Sequence, residues 1–413
     1  MLKHVLKQAG DERKHYPLKA CTIVWSIFET DSRVRKYVDS LLEIGFSVDV
    51  ISLSGKNHKS WPNIYRYKNN AKIYEVGIRS QELRKFDYIK SFCKFFIFSA
   101  FLSSKLQLKN KYKIVHVHTP PDFQVFSVFL HKLMGTKIIL DVHDPFPDFF
   151  ISKFGKRRNY FFIKLLLLIE RMSIAFSDHV ITVTDYWRKT ICKRSFVNES
   201  KLSVITNFPD TSLFNPTKHS ADPDKKEFVM LYPGTINKHC GLDIALKAVS
   251  LIKDKVSSFR FDIYGKGSEY EKIKVLAANF GIEDIVCFYD HIPLVNVPDL
   301  MAKADIGIAL LAGNDIYSKQ ALNVKLFEYI SMGLPSIATE TEATKYYLSD
   351  KLVVFSKQND PVDVAKCIYK LYNDEQIREE IKINCLNSSI FLSWNSQKNI
   401  FKSIISKTIF KNE

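Results

Sequence analysis

A chain of 413 residues, 46% of them hydrophobic and only 14 glycine, is long enough for two cores and excludes a mostly disordered protein or a small disulfide-framed domain. Its seven cysteines, at positions 21, 93, 192, 240, 287, 367 and 385, form no Cys-x-x-Cys pair, which argues against a zinc site and for reduced thiols in a cytoplasmic protein. The formal net charge of +16 sits wholly in the first half: residues 1–210 hold 35 Lys and Arg against 19 Asp and Glu, whereas residues 211–413 hold 25 of each, so the first half calls for an anionic partner or surface.

In chain order, residues 21–27 (CTIVWSI) read as a buried strand. Asp31-Ser32-Arg33-Val34 opens a helix through Glu43, with Asp31 or Ser32 as its N-cap, and Gly45 ends it. FSVDVISL (46–53) is the next strand, giving a βαβ unit with a right-handed crossover. Further strands are predicted at IVHVH (114–118), KIILDVHD (137–144), HVITVT (179–184) and SVIT (203–206), with helices between them. The prolines of Pro145–Phe150 (PFPDFF) oppose regular helix, so that run is expected to be a loop with exposed aromatics facing an acceptor.

Two stretches set basic residues beside aromatic and aliphatic ones: YIKSFCKFFIFSAFLSSKLQLKNKYK, and KFGKRR (153–158) followed by YFFIKLLLLIERM. That composition suits attraction to an anionic membrane surface, and ordinary helices with lysines at their ends are the alternative. No apolar run is long enough to span a bilayer, and the first twenty residues show no secretory pattern. The polar, proline-bearing run LFNPTKHSADPDKKEF marks a linker. The expected division is residues 1–210, a linker at 211–227, a second domain at 228–393 and a final helix at 394–413.

The stretch 232–339 carries most of the chemistry. Each of its segments joins a β-like apolar run to a helix with glycine or a charge at the junction, which is how an open parallel sheet builds a phosphate site. The glycines of Gly234-Thr235 and Gly265-Lys266-Gly267 let a backbone come close, or make ordinary turns. Backbone amides around Asn323, Val324 and Lys325 open a short helix whose positive end faces a diphosphate, and the Lys325 ammonium adds a full charge. Glu328, in the same helix before Gly333-Leu334-Pro335, reads as the acceptor of a pair of ribose hydroxyls.

Gly234, Gly241-Leu242-Asp243, Gly265-x-Gly267, Ala304-Asp305, Lys325-x-Phe327-Glu328-Tyr329 and Gly333-x-Pro335 occur in an order that resembles the C-terminal domain of the family 4 retaining glycosyltransferases. The first half is similar to the same family at Asp31-x-Arg33-Val34, at the strand end Asp141-Val142-His143-Asp144, and at Asn207-Phe208-Pro209-Asp210 with Phe214-x-Pro216.

The resemblance implies an α/β chain of GT-B fold, with two Rossmann-like doubly wound domains facing a cleft and the last helix crossing back to the first domain. It implies transfer of a sugar with retention from a nucleotide-sugar, UDP- or GDP-linked, which is a substrate and not a cofactor, and it needs no metal. The acceptor is then a hydroxyl of a lipid-linked glycan, in the bacterial surface-polysaccharide branch, on an enzyme peripheral to the inner face of the plasma membrane. His143, Asp144, Lys325 and Glu328 become the catalytic candidates. Gly234, Thr235, Lys238, His239, Gly265, Gly267, Gln320, Asn323, Val324, Lys325 and Glu328 become the donor-binding set.

Three positions depart from the family's common pattern. Thr235 stands where an arginine is usual, Cys240 where a lysine is usual, and Gln320 where a first glutamate precedes Glu328. Lys238 or His239 is the candidate replacement cation. The departures keep open a non-catalytic or partner-dependent nucleotide-sugar-binding subunit. A GT-B sugar-nucleotide epimerase is the nearest enzymatic rival. A nucleic-acid partner is not expected, because no basic stripe or nucleic-acid motif is visible.

Overall fold

A computed structural model describes residues 18–56, 58, 60–78, 85–154, 160–220, 224–313 and 316–410. The chain divides into two compact units: residues up to Thr206 together with those from Gln397 onward, and Asn207–Ser396.

In the first unit, β1 (Lys19–Ile27), β2 (Ser47–Ser54), β3 (Asn63–Tyr67), β4 (Ala71–Ile78), β5 (Ile114–His118), β6 (Lys137–Val142), β7 (His179–Thr182) and β8 (Leu202–Val204) form one sheet. The spatial order is β3-β4-β2-β1-β5-β6-β7-β8. Every pairing is parallel except the β3–β4 hairpin at one edge. The central strands read as continuous apolar runs because both their faces are covered. The edge hairpin carries no such run, and in β3 half-buried residues alternate with exposed ones, so sequence pattern alone passes over it.

The helices of this unit are α1 (Ser32–Glu43), α2 (Lys85–Asn110), α3 (Phe129–Leu133), α4 (Phe146–Phe154), α5 (Tyr160–Phe176) and α6 (Asp185–Ser195), and a 3-10 turn, Asp122–Val128, leads into α3. Asp31 is the N-cap of α1, accepting from the Val34 amide at 3.1 Å. The strand order fixes the layers. Right-handed crossovers put α1 on one face and α2, α3, α5 and α6 side by side on the other.

The expected loop at Pro145–Phe150 is corrected by α4. Pro145 lies outside the helix and its carbonyl accepts from the Asp148 and Phe149 amides. Pro147 falls in the first turn, where its missing N–H costs no hydrogen bond. The aromatics are not exposed either: Phe146 and Phe149 are half-buried and Phe150 is buried. Within the basic run 153–158, residues 155–158 lie outside the described residues.

In the second unit, β9 (Phe228–Pro233), β10 (Phe259–Tyr264), β11 (Val286–Tyr289), β12 (Ile306–Ala309), β13 (Ser336–Thr339) and β14 (Val354–Ser356) form an all-parallel sheet in the order β11-β10-β9-β12-β13-β14. The order reverses between β9 and β12. Its helices are α7 (Leu242–Ile252), α8 (Tyr270–Asn279), α9 (Val297–Lys303), α10 (Ile316–Gln320), α11 (Val324–Met332), α12 (Glu342–Tyr347), α13 (Pro361–Asn373) and α14 (Glu375–Ser389). A single apolar core runs through this unit, and α7 packs on α13 while α11 packs on α14.

The final helix, α15 (Trp394–Phe410), starts among residues of the second unit, where the Trp394 amide donates to the Pro209 carbonyl. From Gln397 onward it packs in the first unit. Gln397 accepts from the Thr206 amide at 3.0 Å, Phe401 lies 4.6 Å from the Tyr37 ring, and Lys398 and Lys402 both reach Glu43 of α1. Among the described residues, no helix is long and apolar enough to cross a membrane.

Candidate functional site

In the second unit the reversal of strand order lies where an open α/β sheet leaves room for a ligand, beyond the carboxyl ends of β9 and β12. Three loops meet there. The loop after β9 is tied to the loop after β10 by the Ile236 amide on the Lys266 carbonyl, at 3.1 Å, and the Glu269 amide on the Ile236 carbonyl, at 3.1 Å. It is tied to the loop after β12 by the Ala312 amide on the His239 carbonyl, at 2.9 Å.

Gly265 and Gly267 are explained by this contact. A Cβ on Gly265, whose φ is +136°, would sit 2.0 Å from the Gly234 carbonyl oxygen, and one on Gly267 would sit 2.2 Å from that of Ile236. Loop-to-loop packing is therefore a sufficient reason for both glycines.

Helix α11 begins at the same edge. Asn323 is its N-cap, with its side-chain oxygen accepting from the Lys325 amide at 3.2 Å, and Val324 is the first helical residue. Gly333, at φ +66°, closes it in the left-handed region. The helix is held against the sheet by Tyr329, whose hydroxyl donates to the carbonyls of Leu231 and Ile308. Gly307 makes room for that ring, since a Cβ there would lie 2.7 Å from it.

This docking aims Lys325 across the loop after β9. Its ammonium stands 4.9 Å from the centre of the Tyr232 ring, and its side chain lies where a Cβ on Gly234 would go. Cys240, a buried residue, hydrogen-bonds through its thiol to the Thr235 carbonyl at 3.2 Å. Burial pushes that thiol up, but the hydrogen bond from His239 and the charge of Lys325 outweigh it and bring the pKa down to about 7.

The structure thus gathers Gly234, Thr235, His239, Cys240 and Lys325, with Asn323 and Val324 at the root of α11. Glu328 follows Lys325 by one turn, half-buried, and its charge is felt by the buried Tyr329 phenol. Thr235 and Lys238 are exposed, and Gln320 ends α10, three residues before the Asn323 cap.

In the first unit the carboxyl edge is built from charged side chains instead. His118 on β5 pairs in register with Asp141 on β6, and the Thr119 amide donates to the Asp141 carbonyl. Arg33, in the first turns of α1, donates from Nε and Nη2 to the two Asp141 oxygens at 3.0 and 2.8 Å and from Nη1 to the Ile205 carbonyl at 2.9 Å. His118 Nδ1 and His143 Nε2 each lie 3.1 Å from Asp141 Oδ2 and 3.0 Å from each other.

Burial alone would raise the Asp141 carboxyl. The Arg33 charge, followed by His143 and the imidazole hydrogen bonds, holds it well below the ordinary carboxylate range. Burial holds His118 below the ordinary imidazole range. With the carboxylate ionised, both rings donate to it. In the tautomer in which Nε2 of His143 carries the hydrogen toward Asp141, Nδ1 of that ring keeps its lone pair. His143 is 20% exposed, in contrast to the fully buried His118 and Asp141. Asp144, one residue further on, is half-buried.

His116, His118 and Asp141 also bring one ligand atom each within 4.8 Å of one another. A divalent cation does not fit this set, because a guanidinium already occupies both carboxylate oxygens and would repel it. The sequence pattern puts Asp141 at a strand end but gives Arg33 and His118 no role in a site. The available signal was two histidines two apart on a buried strand, which places both side chains on one face.

Two family models match the chain. Residues 33–213 match Glycosyltransferase Family 4, and residues 215–386 match Glycosyl transferases group 1. The chain is a glycosyltransferase of the GT-B fold.

Among its relatives, the putative glycosyltransferase EpsD of Bacillus subtilis is 24% identical over 65% of this chain and 69% of its own length. The gpi3 subunit of phosphatidylinositol N-acetylglucosaminyltransferase from Schizosaccharomyces pombe is 22% identical over 85% of this glycosyltransferase and 72% of the relative. A solved structure, Anabaena HepE in complex with UDP-glucose, superposes with a TM-score of 0.68 over 94% of this chain and 99% of that one, at 11% identity. At that identity the likeness speaks for the fold.

Proposed function

We propose that this glycosyltransferase moves a hexosyl group from a UDP- or GDP-linked donor to a hydroxyl of a lipid-linked glycan, with retention, in the synthesis of a bacterial surface polysaccharide. The observation that carries the reading is the Lys325 ammonium held over the Gly234 loop, at the N-terminus of α11 and at the reversal of strand order. A positive helix end and a full positive charge at one sheet edge suit a leaving diphosphate. Glu328, one turn along, accepts the ribose hydroxyls. His239 and Lys238 line the same loop and supply further donors, and Gln320 offers an uncharged amide to the sugar. Gly234, Thr235, Gly265 and Gly267 form the backbone cradle.

On the first unit, His143 offers Nδ1 to a sugar or acceptor hydroxyl, while Asp141 and Arg33 position it and Asp144 assists. No cofactor or metal takes part, and the leaving phosphate accepts the proton of the acceptor hydroxyl. A lipid-bound acceptor is favoured by the fission-yeast relative, a phosphatidylinositol N-acetylglucosaminyltransferase subunit. Location on the inner face of the plasma membrane follows from such an acceptor.

A second reading, a partner-dependent donor-binding subunit, is favoured by one observation: Cys240 brings a buried thiol bonded to the Thr235 carbonyl, not a cation, to the donor loop. The test is to incubate the purified protein with UDP-, GDP- and dTDP-sugars and a polyprenyl-diphosphate-linked sugar, and to read the product linkage from anomeric proton coupling. A product with the donor's anomeric configuration supports the proposal. Inversion refutes retention, and donor binding without product in any combination favours the subunit reading. His143→Ala should lower turnover while leaving donor binding within about threefold.

A further inference from the structure

The helices on the outer face of the first unit present apolar side chains to solvent in rows. On α5 the exposed residues Phe161, Lys164, Leu165, Leu168, Arg171 and Met172 follow spacings of 3, 1, 3, 3 and 1 that keep them on one side, and Tyr160 and Ala175 are exposed at its two ends. Phe161 is 85% exposed and the three aliphatic residues about half exposed. The acid of this helix, Glu170, faces inward and is paired with Arg194.

On α2 the exposed positions Lys90, Lys94, Ile97, Phe101, Lys105 and Leu108 also share one side, with Ile97, Phe101 and Leu108 each more than 60% exposed. The acid of α2, Asp87, lies in its first turn, before this row. Between the two helices runs a ridge of Phe123, Phe126 and Phe129. Their spacing of three aligns them along the 3-10 turn that leads into α3. Phe123 packs against Phe92 and Phe96 of α2, and Phe126 and Phe129 pack against Phe176 of α5. Leu133 of α3 continues it, 69% exposed.

Scattered exposed apolar residues need no explanation, but rows on adjacent helices do. These rows lie in one layer, because α2, α3 and α5 follow successive crossovers on the same face of the sheet. Apart from Asp87, exposed one turn before Lys90 on the same side of α2, the charged members of these rows are cations. Lys94, Lys132, Lys164 and Arg171 each stand over an aromatic ring at 4.6 to 5.8 Å, with the charged head beside the apolar surface, and Lys132 also pairs with Asp178 at 2.9 Å.

We propose that this face docks onto an anionic lipid bilayer, with the apolar rows of α2, α3 and α5 entering the headgroup region and the lysines and Arg171 meeting lipid phosphates. Charge complementarity selects the occupant. An apolar protein interface would be depleted of lysine, whereas an anionic interface attracts each lysine independently. The whole excess charge of the chain lies in this half. The inference rests on the first unit alone and stands apart from the donor assignment.

The test is flotation of the full-length protein with phosphatidylcholine vesicles and with vesicles containing phosphatidylglycerol, at low and high salt. Two variants are compared with the unaltered chain: Phe161→Ser with Leu165→Ser and Leu168→Ser, and Lys90→Glu with Lys94→Glu and Lys105→Glu. The expected result is binding to the anionic vesicles that weakens with salt, at least tenfold loss in the first variant and about a hundredfold loss in the second, with Tm and nucleotide binding unchanged. Equal binding to both vesicle types, or variants that bind as well as the parent, would overturn the proposal. So would variants that keep vesicle binding but turn a dimer into a monomer in sedimentation velocity, since the face would then join two copies of the chain.

Discussion

At the carboxyl edge of the first sheet, polar chemistry is held by buried side chains that satisfy one another, Arg33, Asp141 and His118, together with the partly exposed His143. At the carboxyl edge of the second sheet it is held by backbone, in a loop after β9 bonded to the loops after β10 and β12, and in a helix end, with one lysine side chain laid over them. The two edges should therefore fail differently. Damage to the first removes a charge partner from a place without water and acts on the fold. Damage to the second opens space at a surface loop and acts on the ligand.

The largest effect should come from Asp141→Ala, which leaves the Arg33 guanidinium buried without its carboxylate and should cost about 3–5 kcal/mol. Urea unfolding would measure it, and a loss under 1 kcal/mol would break the contrast. The pH dependence has a definite sign. The folded carboxyl lies below its unfolded value, so its stabilisation is complete above about pH 4 and disappears as the pH falls through the folded value. The parent should weaken steeply below about pH 4, and Asp141→Asn should flatten that limb.

Gly265→Ala comes next, because it strikes the backbone of the second edge and not a side chain. Its positive φ and the oxygen of Gly234 leave no place for a methyl group, and about 1–3 kcal/mol of destabilisation is expected in the same unfolding assay. Lys325→Ala should leave Tm unchanged and weaken nucleotide-diphosphate binding by about 10- to 100-fold in calorimetric titration, the worth of a charge-assisted hydrogen bond. A stability loss without a binding loss would assign Lys325 to the fold.

The smallest effect sharpens the comparison. Cys240 should alkylate with a midpoint near pH 7, followed by peptide-resolved mass spectrometry, while burial keeps Cys367 and Cys385 unreactive until about pH 11 and 12. Lys325→Ala should move the Cys240 midpoint upward, because that charge helps hold the thiolate.

The legibility of the sequence follows the same contrast. The second edge could be read because its parts are local: glycines at strand ends, an Asn323 cap, and Glu328 one turn into a helix that Gly333 closes. Each is a rule about a few adjacent residues. The first edge was read only at Asp141–Asp144, because Arg33, His118 and Asp141 meet through pairing of strands and a helix far apart in sequence. The β3–β4 hairpin escaped for a related reason, since an edge strand lacks the continuous apolar run of a buried one. The run at Pro145–Phe150 misled because proline opposes helix in the interior but not in the first turn, and position within the element was the missing fact.

The central claim is that the second edge binds a nucleotide sugar. The most direct measurement is thermal stabilisation of the full-length chain and of Glu328→Ala by UDP, GDP, dTDP and their sugars. At a concentration one hundred times Kd, one nucleotide class should stabilise the parent by about 2.7 kcal/mol, and Glu328→Ala should lose most of that shift while keeping its own Tm. No stabilisation by any of them, from well-folded protein, or an equal shift in both proteins, would contradict the account.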